Sequence, residues 1–330
     1  MTLVLREDDV RAVLTMPDAV SVLDAAFRRQ GAGATHNQPR SRVMLPEARG
    51  VLHVMSAYVP GAPGHPERDG PGLVGLKAYT AVGGAVRFAV LLSSAADGAL
   101  LAIVEADWLG QMRTGAASGV ATRHMARADA STLGLIGTGS QARAQLLAMC
   151  AVRPVARVLV YGRDERRRAA FCEEMSALAG VMVAPVPSAE EAARAADIVI
   201  TATTAREPVL HGAWLRPGTH INAMGSNWRN RREVDDETLE RSAIIAVDAL
   251  DQARIEAGDL VIPTEAGRFD FARVVELGQI VAGSASGRDD PTQITFFKSL
   301  GLALEDVAVA GLVYSLARER GLGEDLRFLP

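Results

Sequence analysis

Residues 133–150 constrain the fold of this chain more than any other stretch, because three patterns follow one another there. The apolar run LGLIG leads into the turn Gly137-Thr138-Gly139-Ser140-Gln141-Ala142, and a helical pattern follows. A strand, a Gly-x-Gly-x-x-Ala turn and a helix in this order predict a dinucleotide-binding turn, with all six turn residues at the cofactor. Gly137 allows the tight turn, Gly139 lets a pyrophosphate approach the backbone, and Ala142 keeps the helix close to its strand. The amide groups that begin the helix then face the phosphates.

The chain after Ala130 alternates between strand-like and helical patterns. Six apolar runs, LGLIG, VLVY, MVAPV, DIVITAT, HINAMG and IIAVDA, are separated by helical segments such as 164–179 and 189–196. This alternation predicts a parallel sheet with helices on both faces. Residues 130–304 are therefore predicted to form a Rossmann-type dinucleotide-binding domain, and the fold class is α/β.

The chain before this region has an α+β pattern. Residues 4–30 predict helices, and four β runs follow at Val51–Tyr58, Leu73–Thr80, Ala85–Ser93 and Ala99–Val104. Asp97-Gly98 predicts a hairpin between the last two runs, so we expect an antiparallel sheet. Residues 61–72 predict a surface loop, and 113–126 predict a helix of small residues. The end of the chain, 292–320, predicts one strand and a long helix. The first domain is accordingly assigned to 1–129 with part of 305–330.

Composition excludes several classes of partner. The chain of 330 residues has a net charge of -4, 5% aromatic residues and a pI near 5.9, so we expect no nucleic-acid partner. Its two cysteines and six histidines show no metal-ligand spacing, so no metal site is predicted. It also lacks a signal-peptide pattern and an apolar run of membrane-spanning length. We expect a cytoplasmic protein without a membrane partner.

Four cations are candidates for binding or catalysis. Lys77 interrupts the apolar run VGLKAYT, where a charge needs a partner or a ligand. It could bind a carboxylate or act as an acid or base, although an outward-pointing lysine remains an alternative. Arg113 begins the small-residue helix, and Arg40 and Arg42 precede a strand. An arginine fork suits a carboxylate, but solvated surface arginines are the other possibility.

Five motifs, GLKAYT, MRTGAASG, LGLIGTGSQA, INAMGSN and ITFFKSLG, occur in this order along nearly the whole chain. Together they resemble the ornithine cyclodeaminase and mu-crystallin family. The resemblance implies an NAD(P)-binding Rossmann domain, a homodimer formed through a substrate-binding first domain, and an active site in the cleft between the domains. It also implies that Lys77 is the active-site lysine and that Arg42 and Arg113 bind the substrate carboxylate, with Arg40 as the alternative to Arg42. Thr114 is implied to touch the cofactor.

Two departures from the family pattern affect the predicted reaction. Cyclodeaminases have a glutamate in the strand that matches VLHVMS and an aspartate just after the glycine of NAMG, whereas this chain has His53 and Asn227. Those two carboxylates hold a cationic side-chain amine and move its protons. A cyclodeaminase is therefore disfavoured, unless Glu67 or Asp69 of the loop replaces them.

The remaining residues predict an NAD(P)H-dependent oxidoreductase that reduces a small 2-imino acid, the imine of a 2-oxo acid, to an amino acid. His53, Arg40 and Arg229 further favour a dicarboxylic substrate, such as iminosuccinate reduced to aspartate. His53 could equally be a core histidine bonded to the backbone. Two other functions stay open: an ornithine cyclodeaminase that forms proline, and a non-catalytic NAD(P)-binding protein of the mu-crystallin type.

The choice of cofactor depends on the end of the second strand of the Rossmann domain. Arg163 follows this strand and favours a 2′-phosphate, which gives a slight preference for NADP. Asp164 and Glu165 lie one and two residues further on, so NAD remains open. Residues at the carboxyl ends of two later strands are also predicted to bind the cofactor: Thr203, Thr204, Met224 and Gly225.

Overall fold

The computed structural model describes residues 1–61 and 72–327, and the chain divides into two compact units. The first unit comprises Met1–Arg113 and Gly301–Pro330, and the second comprises Thr114–Leu300. The division falls within helix α3 (Asp107–Met125). The predicted domains, 1–129 with 305–330 and 130–304, differ from these units at their boundaries, and their roles remain predictions.

The first unit is built around an eight-stranded sheet. Numbered along the whole chain, its strands are β1 (Thr2–Leu5), β2 (His36–Asn37), β3 (Ser41–Leu45), β4 (Gly50–Val59), β5 (Leu73–Val82), β6 (Ala85–Ser94), β7 (Leu100–Glu105) and β16 (Glu324–Leu326). The order is β16-β1-β7-β6-β5-β4-β2, and β3 also pairs with β4. Strands β4 to β7 form the predicted antiparallel sheet, with Gly98 at positive φ in the predicted hairpin turn.

Three helices cover this sheet or extend from it: α1 (Glu7–Val13), α2 (Met16–Gly31) and α11 (Ala303–Arg320). Helix α11 is buried along most of its length and packs against α2, β4 and β5. The C-terminal helix therefore packs within the first unit.

The second unit contains an eight-stranded sheet in which every pairing is parallel. Its strands are β8 (Thr132–Ile136), β9 (Arg157–Tyr161), β10 (Met182–Pro185), β11 (Ile198–Thr201), β12 (His220–Ala223), β13 (Ser242–Val247), β14 (Val274–Glu276) and β15 (Ile294–Lys298). Its helices are α4 (Ser140–Val152), α5 (Glu165–Ala179), α6 (Ala189–Arg194), α7 (Asp236–Arg241), α8 (Leu250–Glu256), α9 (Gly258–Glu265) and α10 (Leu277–Ala282), with short 3-10 helices at Gly212–Trp214 and Phe271–Arg273. The order β10-β9-β8-β11-β12-β15-β13-β14 places a topological switch point between β8 and β11 and confirms the predicted Rossmann-type fold.

Two local predictions are wrong at their starting points. Residues 4 and 5 were expected to be helical, but they belong to β1, which pairs with the distant strand β7. The helix predicted at 113–126 begins at Asp107 instead. The Glu7 carboxylate accepts hydrogen bonds from the backbone N–H groups of Asp107 and Trp108, at 2.6 and 3.0 Å, and so caps this helix from another element. A short sequence window contains neither the distant strand nor the distant cap.

The predicted loop at 61–72 falls mostly outside the described residues, and Glu67 and Asp69 lie there. None of the described helices is both long and apolar enough to cross a bilayer.

Candidate functional site

Lys77 points to the buried face of β5, so the outward-pointing alternative is wrong. Its side chain is 1% exposed, and Gly75, on the same face of the strand, lies against Val307 of α11. The Lys77 Nζ lies 2.7 Å from Oδ1 of Asp306 in the first turn of α11. A fully buried ammonium requires such a counter-charge.

Arg113 is held by two neighbouring carboxylates of α11. Its Nη1 donates to Glu305 Oε2 at 2.7 Å, and its Nε lies 3.0 Å from Asp306 Oδ1. Both carboxylates are fully buried. Neither was predicted to be functional, because two acids in the first turn of a helix are an ordinary sequence feature. The ITFFKSLG motif just before them was the nearest available signal.

Arg40 lies with Lys77 and Arg113, whereas Arg42 lies farther along the sheet beside His53. Arg40 is buried, and its Nη2 donates to the carbonyl of Gly301 at 3.0 Å. Arg42 is half-buried on β3 and faces His53 across the β3–β4 pairing. The charge of Arg40 acts on the pKa values of both Lys77 and His53.

Gly301 makes the approach of two arginines possible. It has φ +79°, a conformation that favours glycine, and a Cβ there would lie 2.3 Å from Arg113 Nη1. Its carbonyl is the acceptor for Arg40. The backbone at the end of the ITFFKSLG motif therefore positions both guanidinium groups.

His53 is part of an aromatic group next to Lys77. Its ring stacks on Tyr79 with 4.2 Å between centroids and an angle of 8°. Tyr79 in turn contacts Phe88, and the Lys77 Nζ lies 5.2 Å from the Phe88 centroid. Burial, assisted by the positive charges of Arg40 and Arg42, lowers the pKa of His53 to about 4. His53 is thus a neutral imidazole at pH 7, and any positive charge for a second carboxylate must come from the arginines.

Lys77 titrates close to neutral pH. Burial lowers the pKa of its ammonium, Asp306 opposes this effect, and Arg113 and Arg40 lower it further, to about 8. Lys77 can therefore both donate and accept a proton under ordinary conditions, as an acid or base catalyst must.

The predicted dinucleotide turn has the geometry that its sequence requires. Gly137 has φ +124°, and a Cβ there would lie 2.2 Å from the carbonyl oxygen of Ala202. Gly139 precedes α4. Apart from its chain neighbours, no atom of residues 1–61 and 72–327 lies within 4 Å of the position that its Cβ would take, which leaves an open cradle at the helix start. Ala142 is fully buried. Thr138 packs against Gly162 at the end of β9. These features fit a dinucleotide pyrophosphate.

Glu233 holds two of the predicted cofactor residues and was itself missed. Its carboxylate accepts hydrogen bonds from the Thr203 N–H at 2.8 Å, the Thr203 hydroxyl at 2.6 Å and the Gly225 N–H at 2.7 Å. It also accepts one from the Thr201 hydroxyl at 2.9 Å. The carboxyl ends of β11 and β12 are thereby tied to one buried group. Glu233 lies in the run RREVDD, which from sequence looks like a solvated charged segment.

A second buried lysine supports this network. The Lys298 Nζ, at the end of β15, lies 2.8 Å from Asp259 Oδ2, and both side chains are fully buried. Asp259 Oδ1 accepts the backbone N–H groups of Glu233 and Val234 at 2.6 and 3.1 Å. Burial raises the pKa of Glu233 while the Lys298 charge opposes that rise.

The other predicted cofactor residues have different surroundings. Thr114 is buried and its carbonyl accepts from Gln145, whereas Ser140 and Thr204 are exposed. Gln141 and Met224 are half-buried, and the Met224 N–H donates to the carbonyl of Thr201. Their contacts with a cofactor remain predictions.

The predicted selectivity residues lie at the surface or partly exposed. Arg163 is exposed, and the carboxylate of Asp164 caps α5 by accepting the Arg167 N–H at 3.0 Å. Asn227 is half-buried, while Arg229 is exposed and pairs with Glu265. The ion pair with Glu265 gives the Arg229 guanidinium a partner other than a substrate, so its predicted role gains no support.

Comparison with known proteins identifies the family. The model of the ornithine cyclodeaminase/mu-crystallin family matches residues 1–321. The chain belongs to this family. Over 334 residues it is 34% identical to a Delta(1)-pyrroline-2-carboxylate reductase of Bacillus cereus, covering 99% of this chain and 100% of that one. It is also 33% identical over 342 residues to an alanine dehydrogenase of Archaeoglobus fulgidus, covering 99% of this chain and 98% of the relative.

A solved structure of the family has the same fold as this chain. Thermococcus litoralis Delta(1)-pyrroline-2-carboxylate reductase, in complex with NADH and L-proline, matches with a TM-score of 0.91 and 37% identity, covering 98% of this chain and 100% of that one. The predicted family and the oxidoreductase class are confirmed by these relatives.

Proposed function

We propose that this protein is an NAD(P)H-dependent reductase that converts a small 2-imino acid into an amino acid. The observation that carries the proposal is the cluster of Arg40, Lys77 and Arg113 in the first unit, in which a lysine of pKa about 8 lies among buried arginines. The dinucleotide turn of the second unit has the geometry to bind the NAD(P)H that would donate the hydride. Relatives of this family that reduce pyrroline-2-carboxylate or dehydrogenate alanine support the reaction type.

The chemistry assigns a distinct task to each cation. The guanidinium groups of Arg40 and Arg113 hold the substrate carboxylate, which fixes the position of the adjacent C=N bond. Lys77 gives a proton to the imine nitrogen, and this protonation makes the carbon a better hydride acceptor. NAD(P)H, when bound at the turn around Gly139, supplies the hydride.

Arg40 takes the role that the family resemblance assigns to Arg42. Arg40 is the more buried of the two, it bonds the Gly301 carbonyl beside Arg113, and its charge acts on Lys77. Arg42 lies opposite His53 instead. This placement also supports a second candidate substrate, a dicarboxylic imine such as iminosuccinate, whose distal carboxylate would meet Arg42.

For the cofactor we propose NAD(H). The related structures hold NADH with the Thermococcus litoralis reductase and NAD with an archaeal alanine dehydrogenase dimer that is 32% identical to this chain and has a TM-score of 0.90. The sequence-based preference for NADP rests on the exposed Arg163 alone. An Arg163→Ser variant with unchanged NADH and NADPH affinities would agree with NAD(H), and a selective loss of NADPH affinity would favour NADP(H).

We further propose that the protein forms a homodimer through the first unit. Strands β5 and β6 expose Val74 and Leu91 on one face of the sheet, and β3 exposes Val43 on the same face. Apolar side chains exposed together on a sheet are typical of an interface. Light scattering should give the mass of a dimer, and a Val74→Glu, Leu91→Glu double variant should give a monomer.

Steady-state kinetics test the proposed reaction directly. NADH and NADPH are each offered with Delta(1)-pyrroline-2-carboxylate, with pyruvate plus ammonia, and with oxaloacetate plus ammonia. We expect turnover of at least one of these 2-imino acids, and a preference for the oxaloacetate mixture would select the dicarboxylic substrate. Release of ammonia from ornithine without net oxidation of NADH would show a cyclodeaminase instead. Cofactor binding without any turnover would favour a non-catalytic binding protein.

A further inference from the structure

The chain contains only two lysines among its 35 basic residues, and both are buried beside an aspartate. Arginine occupies every other basic position, including all exposed ones. Both lysines of the chain therefore lie in buried ion pairs. Because a lysine titrates far more readily than an arginine, the charge of its partner can control proton transfer by Lys77.

We propose that Asp306 is the positioning residue for Lys77 in proton transfer, and that its neighbour Glu305 is the positioning residue for Arg113 in binding the substrate carboxylate. This inference rests on the proposed imine reduction. It assigns roles to two residues that lie side by side in one helical turn: both pair with Arg113, and Asp306 also pairs with Lys77.

The contacts of the two carboxylates support this division. Asp306 Oδ1 accepts from the Lys77 Nζ at 2.7 Å and lies 3.0 Å from Arg113 Nε. Its Oδ2 is buried and has no hydrogen-bond partner in the described part of the chain. Glu305 Oε2 accepts from Arg113 Nη1 at 2.7 Å. The start of α11 is fixed because the Leu304 N–H donates to Asn37 Oδ1 at 3.1 Å.

The groups around Lys77 leave Asp306 as its stabilising charge. Arg113 of α3 and Arg40, which precedes β3, carry positive charges that disfavour the ammonium, and Asp306 of α11 favours it. The rings of Tyr79 and Phe88, on β5 and β6, lie with their centroids 5.8 and 5.2 Å from its Nζ. Removal of the Asp306 charge should therefore make Lys77 lose its proton at a lower pH.

The hydride of NAD(P)H forms the new C–H bond, the π pair of the C=N bond moves to nitrogen, and this nitrogen takes a proton from the Lys77 ammonium. Lys77 becomes a neutral amine that can still donate an N–H to Asp306 Oδ1, so it keeps its position until water restores the proton. A 2-imino acid and NAD(P)H thus yield an amino acid and NAD(P)⁺.

The first experiment compares Asp306→Asn with Glu305→Gln in the full-length holoenzyme, using the 2-imino acid that the wild type reduces. For the wild type, kcat/KM should fall above about pH 8, where Lys77 loses its proton. In Asp306→Asn this fall should begin at least one pH unit lower. In Glu305→Gln the decrease of kcat/KM should occur at the same pH as in the wild type. Its KM should rise about tenfold, since Arg113 loses a partner. The inference would be overturned if kcat/KM of Asp306→Asn decreased at the same pH as that of the wild type. It would also be overturned if the decrease in Glu305→Gln shifted to lower pH by as much as in Asp306→Asn.

The second experiment needs no turnover. Protein carrying ¹³C-labelled lysine should give two Cε signals, and a Lys77→Arg variant assigns them by removing one. The Lys77 signal should titrate near pH 8 in the wild type and at lower pH in Asp306→Asn, while the Lys298 signal serves as an internal control. An unchanged Lys77 titration would overturn the inference even if the wild type reduces no imine, whereas absence of all turnover bears on the proposed function alone.

A third variant covers the case in which Asp306→Asn does not fold. Asp306→Glu keeps the negative charge, so it should keep the wild-type fall of kcat/KM near pH 8 if the charge is what matters. Lys77→Arg keeps a cation beside Asp306 but cannot release a proton, so kcat should drop about 100-fold and the fall near pH 8 should disappear. A fall that persists in Lys77→Arg would show that another group titrates.

Discussion

The two lysine–aspartate pairs are alike in length and burial but differ in what surrounds them. Lys77 and Asp306 are 2.7 Å apart in the first unit, and Lys298 and Asp259 are 2.8 Å apart in the second. Asp259 uses one oxygen for two backbone N–H groups and the other for Lys298. Asp306 has both of its cations on one oxygen, and its second oxygen has no partner among residues 1–61 and 72–327.

We expect this difference to separate a structural ion pair from a reactive one. Asp259 also accepts the backbone N–H groups of Glu233 and Val234, so its pair with Lys298 holds the chain in place. Lys77 is instead surrounded by Arg40 and Arg113, which help to lower its pKa to about 8. Burial and ion pairing alone do not distinguish the two lysines; the positive charges of Arg40 and Arg113 beside Lys77 do.

The largest expected effect is on catalysis and arises from Lys77. Lys77→Met keeps the length of the side chain but removes the proton donor, so kcat/KM for imine reduction should fall about 10²- to 10⁴-fold. The NADH dissociation constant, measured by fluorescence titration, should change less than about twofold. Rates within threefold of the wild type would show that Lys77 is not the proton donor.

The next largest effect is on stability and arises from Lys298. Lys298→Met leaves the Asp259 charge buried without its counter-ion, so the free energy of unfolding should fall by about 3–5 kcal/mol in denaturant titrations. The double variant Lys298→Met, Asp259→Asn should recover part of this loss, because the unpaired charge is then gone. A loss below about 1 kcal/mol for Lys298→Met would mean that the pair is not structural.

The sequence was sufficient for features that are encoded locally. The turn Gly137–Ala142 contains its own strand, glycines and helix, and the meander of β4 to β7 contains its own hairpin signal at Gly98. Lys77 was recognisable because a charge inside an apolar run needs an explanation. These features depend on residues that are close together in the chain.

The features that the sequence did not reveal depend on distant contacts. Glu305 and Asp306 meet Lys77 and Arg113 only after α11 packs on the sheet, and Glu233 meets Thr203 only after β11 and β12 align. In each case an acidic residue looks like part of a solvated or capping segment until the fold buries it. Burial and partner identity are tertiary properties, so local patterns cannot assign them.

Each unit contains a buried histidine whose titration should make the stability of the protein depend on pH. Burial lowers the pKa of His53 in the first unit to about 4 and that of His220 in the second to about 3, against 6.5 in the unfolded chain. The folded state therefore favours neutral rings, and the stability that they contribute is complete above pH 6.5 and is lost as the pH falls towards 4 and 3. By pH 4 the loss should be about 3 kcal/mol for each histidine.

Denaturant titrations between pH 7 and 4 check this expectation. His53→Gln and His220→Gln should each flatten the decline of the unfolding free energy over this range. Since His53 stacks on Tyr79 beside Lys77, its variant should also change the substrate KM, whereas His220 bonds Thr295 inside the second unit and should not affect it. A decline that stays as steep in both variants would assign the acid sensitivity to other groups.

The smallest expected effects come from two glycines that border the charged groups of the two units. A Cβ on Gly301 would lie 2.3 Å from Arg113 Nη1, and a Cβ on Gly225 would lie 2.3 Å from Glu233 Oε1. Gly301→Ala should displace the guanidinium and raise the substrate KM about tenfold, whereas Gly225→Ala should disturb the end of β12 and weaken NADH binding by a similar factor. Substrate kinetics and cofactor titration on both variants separate the two outcomes. If Gly301→Ala weakened NADH binding and Gly225→Ala raised only the substrate KM, the assignment of substrate to the first unit and cofactor to the second would have to be reversed.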